Sequence, residues 1–271
     1  MASASVVGVQ SRYRVGWLAS VLLVAGPAVA DELRGADEAA MLRTSQAAIG
    51  RVLGDHAFTD QDGRPLRIAD LRGRPVVLNL IYTNCYYVCS GLTVHLRDVV
   101  GIAREALGRD GFSVLTVGFD AKHDTPARMR SYGVERAIDD ARWHFASTDT
   151  ATVRRLAEDV GFTWAMSPLG FDHVTQVTVI DGEGRVVEQV YGQDFAPPAL
   201  IEPLKQLVWG RSAERRGAQG ILDRVKLLCT VYDPASRRYR FDYSMFVTGL
   251  PGILALLMIA IAMLVYSRKP R

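Results

Sequence analysis

A chain of 271 residues is long enough for one sizeable core plus appendages. Its 49% hydrophobic and 23% charged residues describe a globular protein and exclude a disordered one. The formal charge of +3, with basic residues dispersed and no patch interleaved with aromatics, argues against a nucleic-acid partner.

Taken in chain order, residues 1–30 read as a secretory signal. Arg12 and Arg14 precede an apolar stretch over 15–25, and Ala28-Val29-Ala30 fits the small-residue cleavage rule, which places the cut before Asp31. The apolar stretch is too short to span a bilayer comfortably, so the following domain is expected to be exported. Residues 31–50 form an N-terminal extension with a helix over 38–49. A strand, an Asp62-Gly63 turn and a second strand follow across 58–66. A short helical turn is expected at 69–73. The run 76–82 is apolar except for Asn79, the pattern of a strand buried on both faces.

Helical spacing of Leu92, Leu96, Val99, Val100, Ala103 and Leu107 predicts a helix over 89–107. Residues 112–119 form another buried strand. Pro126 opens a helix over 125–132, where its missing N–H costs nothing, and Asp124 or Thr125 is expected to cap it. A strand at 143–146 and a helix at 149–160 come next. A hairpin pairs 174–180 with 185–191 across Asp181-Gly182-Glu183-Gly184, and an amphipathic helix closes the series at 197–209. Strands alternating with helices imply an α/β fold, a mixed sheet covered on both faces, over residues 51–209. Residues 210–245 read as linker and juxtamembrane segment. Residues 246–266 are 21 positions without a charge, enough to cross a bilayer as a transmembrane helix, and 267–271 form a cytoplasmic tail. Basic residues flank this segment on both sides, so charge alone does not orient it; the signal peptide does.

The chemistry lies in the cysteines. Cys85 and Cys89 stand four apart where a buried strand gives way to a helix, and residues so spaced share a helix face. Such a pair closes as a disulfide or chelates one ion with little backbone movement, and a helix N-terminus favours the thiolate that both reactions need. Thiolates select soft ions such as Cu(I), and an added imidazole also suits Cu(II). Zinc is a weaker fit, because a structural zinc site wants four protein ligands. Taken alone the pair leaves disulfide, zinc site and redox switch open. His173 stands before the second strand pair; His95 is turned away from Cys89 by its spacing on the same helix. Cys229 has no obvious partner and reads as a buried thiol.

Four stretches resemble one family. Thr83-Asn84-Cys85-Tyr86-Tyr87-Val88-Cys89 looks like the metal loop of the Sco/SenC copper proteins. The stretch from Gly118 to Pro126 is similar to their D-x-x-x-D-T-P motif, Trp143-His144-Phe145 to their tryptophan strand, and Asp172-His173 with the 179–184 turn to their histidine strand and hairpin. The resemblance covers about residues 51–209. It implies a thioredoxin-like mixed sheet flanked by helices, copper bound by Cys85, Cys89 and His173, and assembly of the copper centre of a respiratory oxidase subunit. It also implies an upstream copper donor or thiol reductant. Asp120 and Asp172 are candidates for the groups that orient the ligands. Tyr86, Tyr87 and Ser90 stand where family members often carry proline, and the membrane anchor is C-terminal here rather than N-terminal.

The expected activity is therefore a metallochaperone on the outer side of the cytoplasmic membrane, without catalytic turnover. The alternative is a thiol–disulfide oxidoreductase that uses Cys85 and Cys89. A peroxidase is disfavoured by the paired cysteines, and a plain structural domain by the four ordered motifs.

Overall fold

The computed structural model describes residues 38–85, 88–168, 170–210 and 218–244, together with 247, 252, 255–261 and 263. The signal-peptide residues, Tyr86 and Tyr87, and most of 246–266 lie outside the described residues. Among those described, no helix is long and apolar enough to cross a membrane.

Helix α1 covers residues 38–46. Strands β1 (Ala57–Asp60) and β2 (Pro65–Arg67) form the expected hairpin, and a single 3-10 turn, Ile68–Leu71, leads into β3 (Val76–Ile81). Helix α2 (Val88–Leu107) crosses to β4 (Ser113–Gly118), and α3 (Pro126–Glu135) crosses to β5 (Trp143–Ser147). Helix α4 (Thr150–Val160) follows, then β6 (Trp164–Ser167), β7 (Gly170–His173), β8 (Gln176–Ile180) and β9 (Val186–Tyr191). Helix α5 (Pro197–Lys205) widens into a π turn at Gln206–Gly210.

Seven strands form one sheet in the order β2-β1-β5-β4-β3-β8-β9. The central trio β5-β4-β3 is parallel, and β1 and β8 join it antiparallel. Every residue of β3, β4 and β8 is buried, so both faces of the sheet are covered. All six apolar positions of the predicted α2 stripe are buried.

Asn79, the lone polar residue of β3, accepts a hydrogen bond from the Thr116 hydroxyl (2.6 Å). The Trp143 indole N–H donates to the same hydroxyl (2.9 Å), so one polar chain ties the three parallel strands inside the core. Helix ends follow their sequence signals. Asp149 caps α4 through the backbone N–H groups of Ala151 and Thr152, and Gly161 ends it at φ 64°.

Two elements differ from expectation. The hairpin β6–β7 adds a surface ribbon beyond the expected elements, with Met166 86% exposed. The stretch read as linker and juxtamembrane segment is folded over 218–241, as α6 (Ala218–Cys229) and a hairpin of β10 (Thr230–Asp233) with β11 (Arg238–Phe241). A polar cluster around buried Lys205 fastens this hairpin to α5. Lys205 donates to the Thr230 carbonyl (2.9 Å) and pairs with Glu202 (2.7 Å), and the Tyr239 hydroxyl donates to Glu202 (2.9 Å). Burial first, and then the neighbouring Glu202 carboxylate, push the Tyr239 phenol well above the usual tyrosine range.

Removing the Lys205 ammonium leaves the Thr230 carbonyl and part of Glu202 without their buried donor. In Lys205→Ala, amide exchange across 230–241 is expected to accelerate while β3 and β4 keep their protection. Unchanged exchange in the hairpin would show that the cluster does not fasten it.

Candidate functional site

Topology brings three chain segments to one edge. Strands β3 and β4 are parallel, so their carboxyl ends emerge side by side at residues 81 and 118. Strand β8 runs antiparallel to β3, so its start, and β7 before it, lies at that same end. The crevice beyond the carboxyl ends of the strands in an open α/β sheet is where such folds place their chemistry.

From β3 the chain passes through buried Tyr82 into a turn closed by the Cys85 N–H on the Tyr82 carbonyl (3.1 Å). Cys85 is half-buried and packed against the core. Cys89 falls in the first turn of α2, and its side chain lies outside the described residues. Among the described residues no group of three or more histidine, cysteine or acidic side chains is assembled that could hold a metal ion. The proposed third ligand nevertheless sits beside this segment: the Tyr82 and His173 ring centroids are 6.3 Å apart.

His173 ends β7, with its ring 5.6 Å from Phe119 and 5.4 Å from Phe162 between centroids. Phe119, the first residue after β4, also meets Tyr82, Trp164 and Phe171. The imidazole Nδ1 lies 3.0 Å from the Val174 carbonyl. A carbonyl only accepts, so this contact fixes the proton on Nδ1. Gly170, at φ 125°, is required across the hairpin, because a Cβ there would come within 2.6 Å of the Tyr82 hydroxyl.

The acidic candidates take other roles. Asp172 is exposed and neighbours His173 along a strand, so the two point to opposite faces; the Val174 carbonyl, not Asp172, fixes the imidazole. Asp120 engages His123 Nδ1 (2.7 Å). The helix cap belongs to Thr125, whose hydroxyl accepts from Arg128 N–H. Asp124, expected at that cap, instead turns inward. One carboxylate oxygen accepts from the N–H (2.8 Å) and the hydroxyl (2.7 Å) of Thr83, and the other from Asp120 N–H (2.9 Å).

Asp124 is 1% exposed, and the missing Cβ of Gly118 leaves it room. Burial pushes its carboxyl above the usual range, and the Thr83 and Asp120 donors pull it part of the way back. His95 and His56 are engaged elsewhere. His95 Nε2 meets the Phe195 carbonyl (2.7 Å), and His56 pairs with Asp159 (2.7 Å).

The relatives bear on this geometry. Residues 44–209 match the SCO1/SenC family. A SCO1 protein homolog of Bacillus subtilis is 21% identical over 146 residues, which are 52% of this chain and 74% of that one. Among solved structures, a SCO1/SenC family lipoprotein from Bacillus anthracis aligns with TM-score 0.54 and 22% identity over 58% of this chain and 95% of its own. Yeast Sco1 with copper bound aligns with TM-score 0.50 and 17% identity over 63% and 96%. The sheet order and its covering helices thus define a thioredoxin-like α/β protein. More narrowly, the family match spans more than half of the sequence, and the chain belongs to the SCO1/SenC family. Sco proteins are copper-binding proteins involved in cytochrome c oxidase assembly.

Asp124→Ala strands three donors at the site edge, and is expected to cost about 3 kcal/mol in chemical denaturation. The pH dependence has a defined sign. A carboxyl raised by folding contributes most to stability below its unfolded value, and that contribution is lost as pH rises through the folded value. Asp124→Asn cannot titrate. Its stability relative to the unsubstituted protein should therefore improve as pH rises from the acid range toward neutrality; a constant difference would contradict the shift.

Proposed function

We propose that this protein is an exported, membrane-tethered metallochaperone. It binds copper through Cys85, Cys89 and His173, and delivers it to the copper centre of a respiratory cytochrome oxidase or prepares the cysteines of that centre. The observation that carries the reading is the approach of the His173 ring to Tyr82, three residues before Cys85, with Nδ1 already committed to a carbonyl. Two thiolates and one neutral imidazole are a soft donor set matched to Cu(I) and tolerant of Cu(II). Copper is cargo here. The fold must hold it firmly enough to carry and release it to a partner with a competing donor set. Copper bound to yeast Sco1 supports this reading, as does the lipoprotein character of the Bacillus anthracis relative for a membrane location. The tether in this chain is the uncharged stretch 246–266, oriented by the signal at 1–30.

A second reading is favoured by the placement of Cys85, half-buried and just ahead of the α2 N-terminus. With Cys89 it would exchange with a disulfide of the oxidase subunit, and His173 would be dispensable.

Anaerobic Cu(I) titration of the full chain in detergent separates the two. His173→Ala is expected to weaken copper binding by roughly 10- to 100-fold, the scale on which a metal's supporting groups act, or more, since a ligand itself is lost. Cys85→Ser is expected to abolish it. Gly170→Ala, which pushes the hairpin off Tyr82, should fall between the unsubstituted protein and His173→Ala. Unaltered copper affinity in His173→Ala, with disulfide exchange intact, would replace the metallochaperone by the reductase.

A further inference from the structure

Helix α6 carries an apolar face that the folded domain leaves uncovered. Ile221, Leu222 and Leu228 are 64%, 59% and 68% exposed. At about 3.6 residues per turn these three and the half-buried Val225 form one stripe, with Arg224 and Lys226 at its two margins. Buried Gly220 and half-buried Leu227 mark the opposite side, and the helix packs against the 206–210 turn. Three large aliphatic side chains in water on one short helix need a partner.

The path of the chain says which partner. Strands β10 and β11 pair in full, Thr230 with Phe241 through Asp233 with Arg238. The hairpin therefore returns to where it began, and Asp242 N–H donates to the Cys229 carbonyl (2.6 Å). Only four residue steps separate Asp242 from Phe246, where the uncharged stretch starts. A fully extended chain covers about 14 Å in that distance, so Asp242, hydrogen-bonded to the last residue of α6, cannot stand farther than this from the start of the stretch. Tyr243, 66% exposed, occupies the gap, and aromatic residues of this kind favour the membrane–water boundary.

We infer that the Ile221–Leu222–Leu228 face of α6 lies on the lipid surface of the membrane, immersed at the headgroup boundary beside the entry point of residues 246–266. The charge pattern fits that occupant. An interfacial helix buries its apolar stripe roughly 5–10 Å into the headgroup and acyl boundary and keeps basic residues at the margins, where they meet anionic lipid. The inference rests on 246–266 being the tether, and it deepens that reading. With α6 packed on the 206–210 turn and the β10–β11 hairpin locked to α5, contact of α6 with lipid fixes how the domain faces the membrane.

Single tryptophans in the full chain, reconstituted in nanodiscs of mixed zwitterionic and anionic lipid, test this. Emission is read as the difference from the unsubstituted chain. Leu222→Trp and Leu228→Trp should lose emission to lipids brominated near the headgroup end of the acyl chain. Val134→Trp, exposed on α3, should instead be quenched by aqueous acrylamide. Leu257→Trp reports the tether. If it is quenched by lipids brominated deep in the chain while positions 222 and 228 respond only to acrylamide, the surface contact is wrong and the tether stands. If 257 also fails to sense lipid, both readings fall. Protection of 222 and 228 from both quenchers would mean that protein covers the face, another segment or a second copy, and would also overturn the inference.

Discussion

The edge of the molecule that holds the candidate site depends on one buried carboxylate. Parallel strands β3 and β4 deliver their carboxyl ends side by side, and the loops that follow have no further strand to satisfy their N–H groups. Asp124 takes that role for Thr83 and Asp120 together, so the loop leading to Cys85 and the loop leading from Phe119 are held by a single side chain. Placing a charge there is costly, which is why burial raises its pKa; three short donors offset enough of that cost for the arrangement to persist. Gly118 belongs to the same device, since any Cβ at that position would occupy the space of the carboxylate.

Where the sequence could be read, it was read through periodicity. The α2 stripe, the buried runs of β3 and β4, the Pro126 helix start and the Asp181–Gly184 turn are local signals, and the structure places all of them within a residue or two of expectation. What periodicity cannot show is direction across the fold. Asp124 next to Thr125-Pro126 has the sequence signature of a helix cap. Only the approach of Thr83, 41 residues away in sequence, reveals that it faces inward. Asp172 reads as a partner for His173 because the two are adjacent, yet adjacency along a strand places side chains on opposite faces. The β6–β7 hairpin escaped because it is a ribbon at the surface without the alternation of a half-buried strand.

The C-terminal part shows a comparable limit. Gly, Ser and Arg over 210–220 give the composition of a linker, and what folds the segment after it is a set of long-range polar contacts. Lys205 and Tyr239 meet across Glu202 only because the hairpin folds back onto α5. A tether that began in flexible chain would leave the orientation of the domain free. If residues 246–266 are the tether, it begins five residues after a hairpin locked to the domain, and the plane of the membrane would be transmitted to the fold.

The two halves of the candidate site are held by different physics. The cysteine side is fixed by the hydrogen bonds of buried Asp124 to the loops that follow β3 and β4. The histidine side stands on a two-stranded ribbon, an element that is marginal by itself and depends on what it packs against. Here it packs on the ring of Phe119, whose contacts with Tyr82, Phe171 and His173 span both sides. Aromatic contacts of this kind contribute about 1 kcal/mol each and, unlike the Asp124 bonds, leave no unpaired donor when they open. If Cys85, Cys89 and His173 share a copper ion, the imidazole is therefore the ligand least costly to withdraw. Its withdrawal would leave the ion on the two sulfur atoms alone, the same two atoms that the competing reading uses for disulfide exchange.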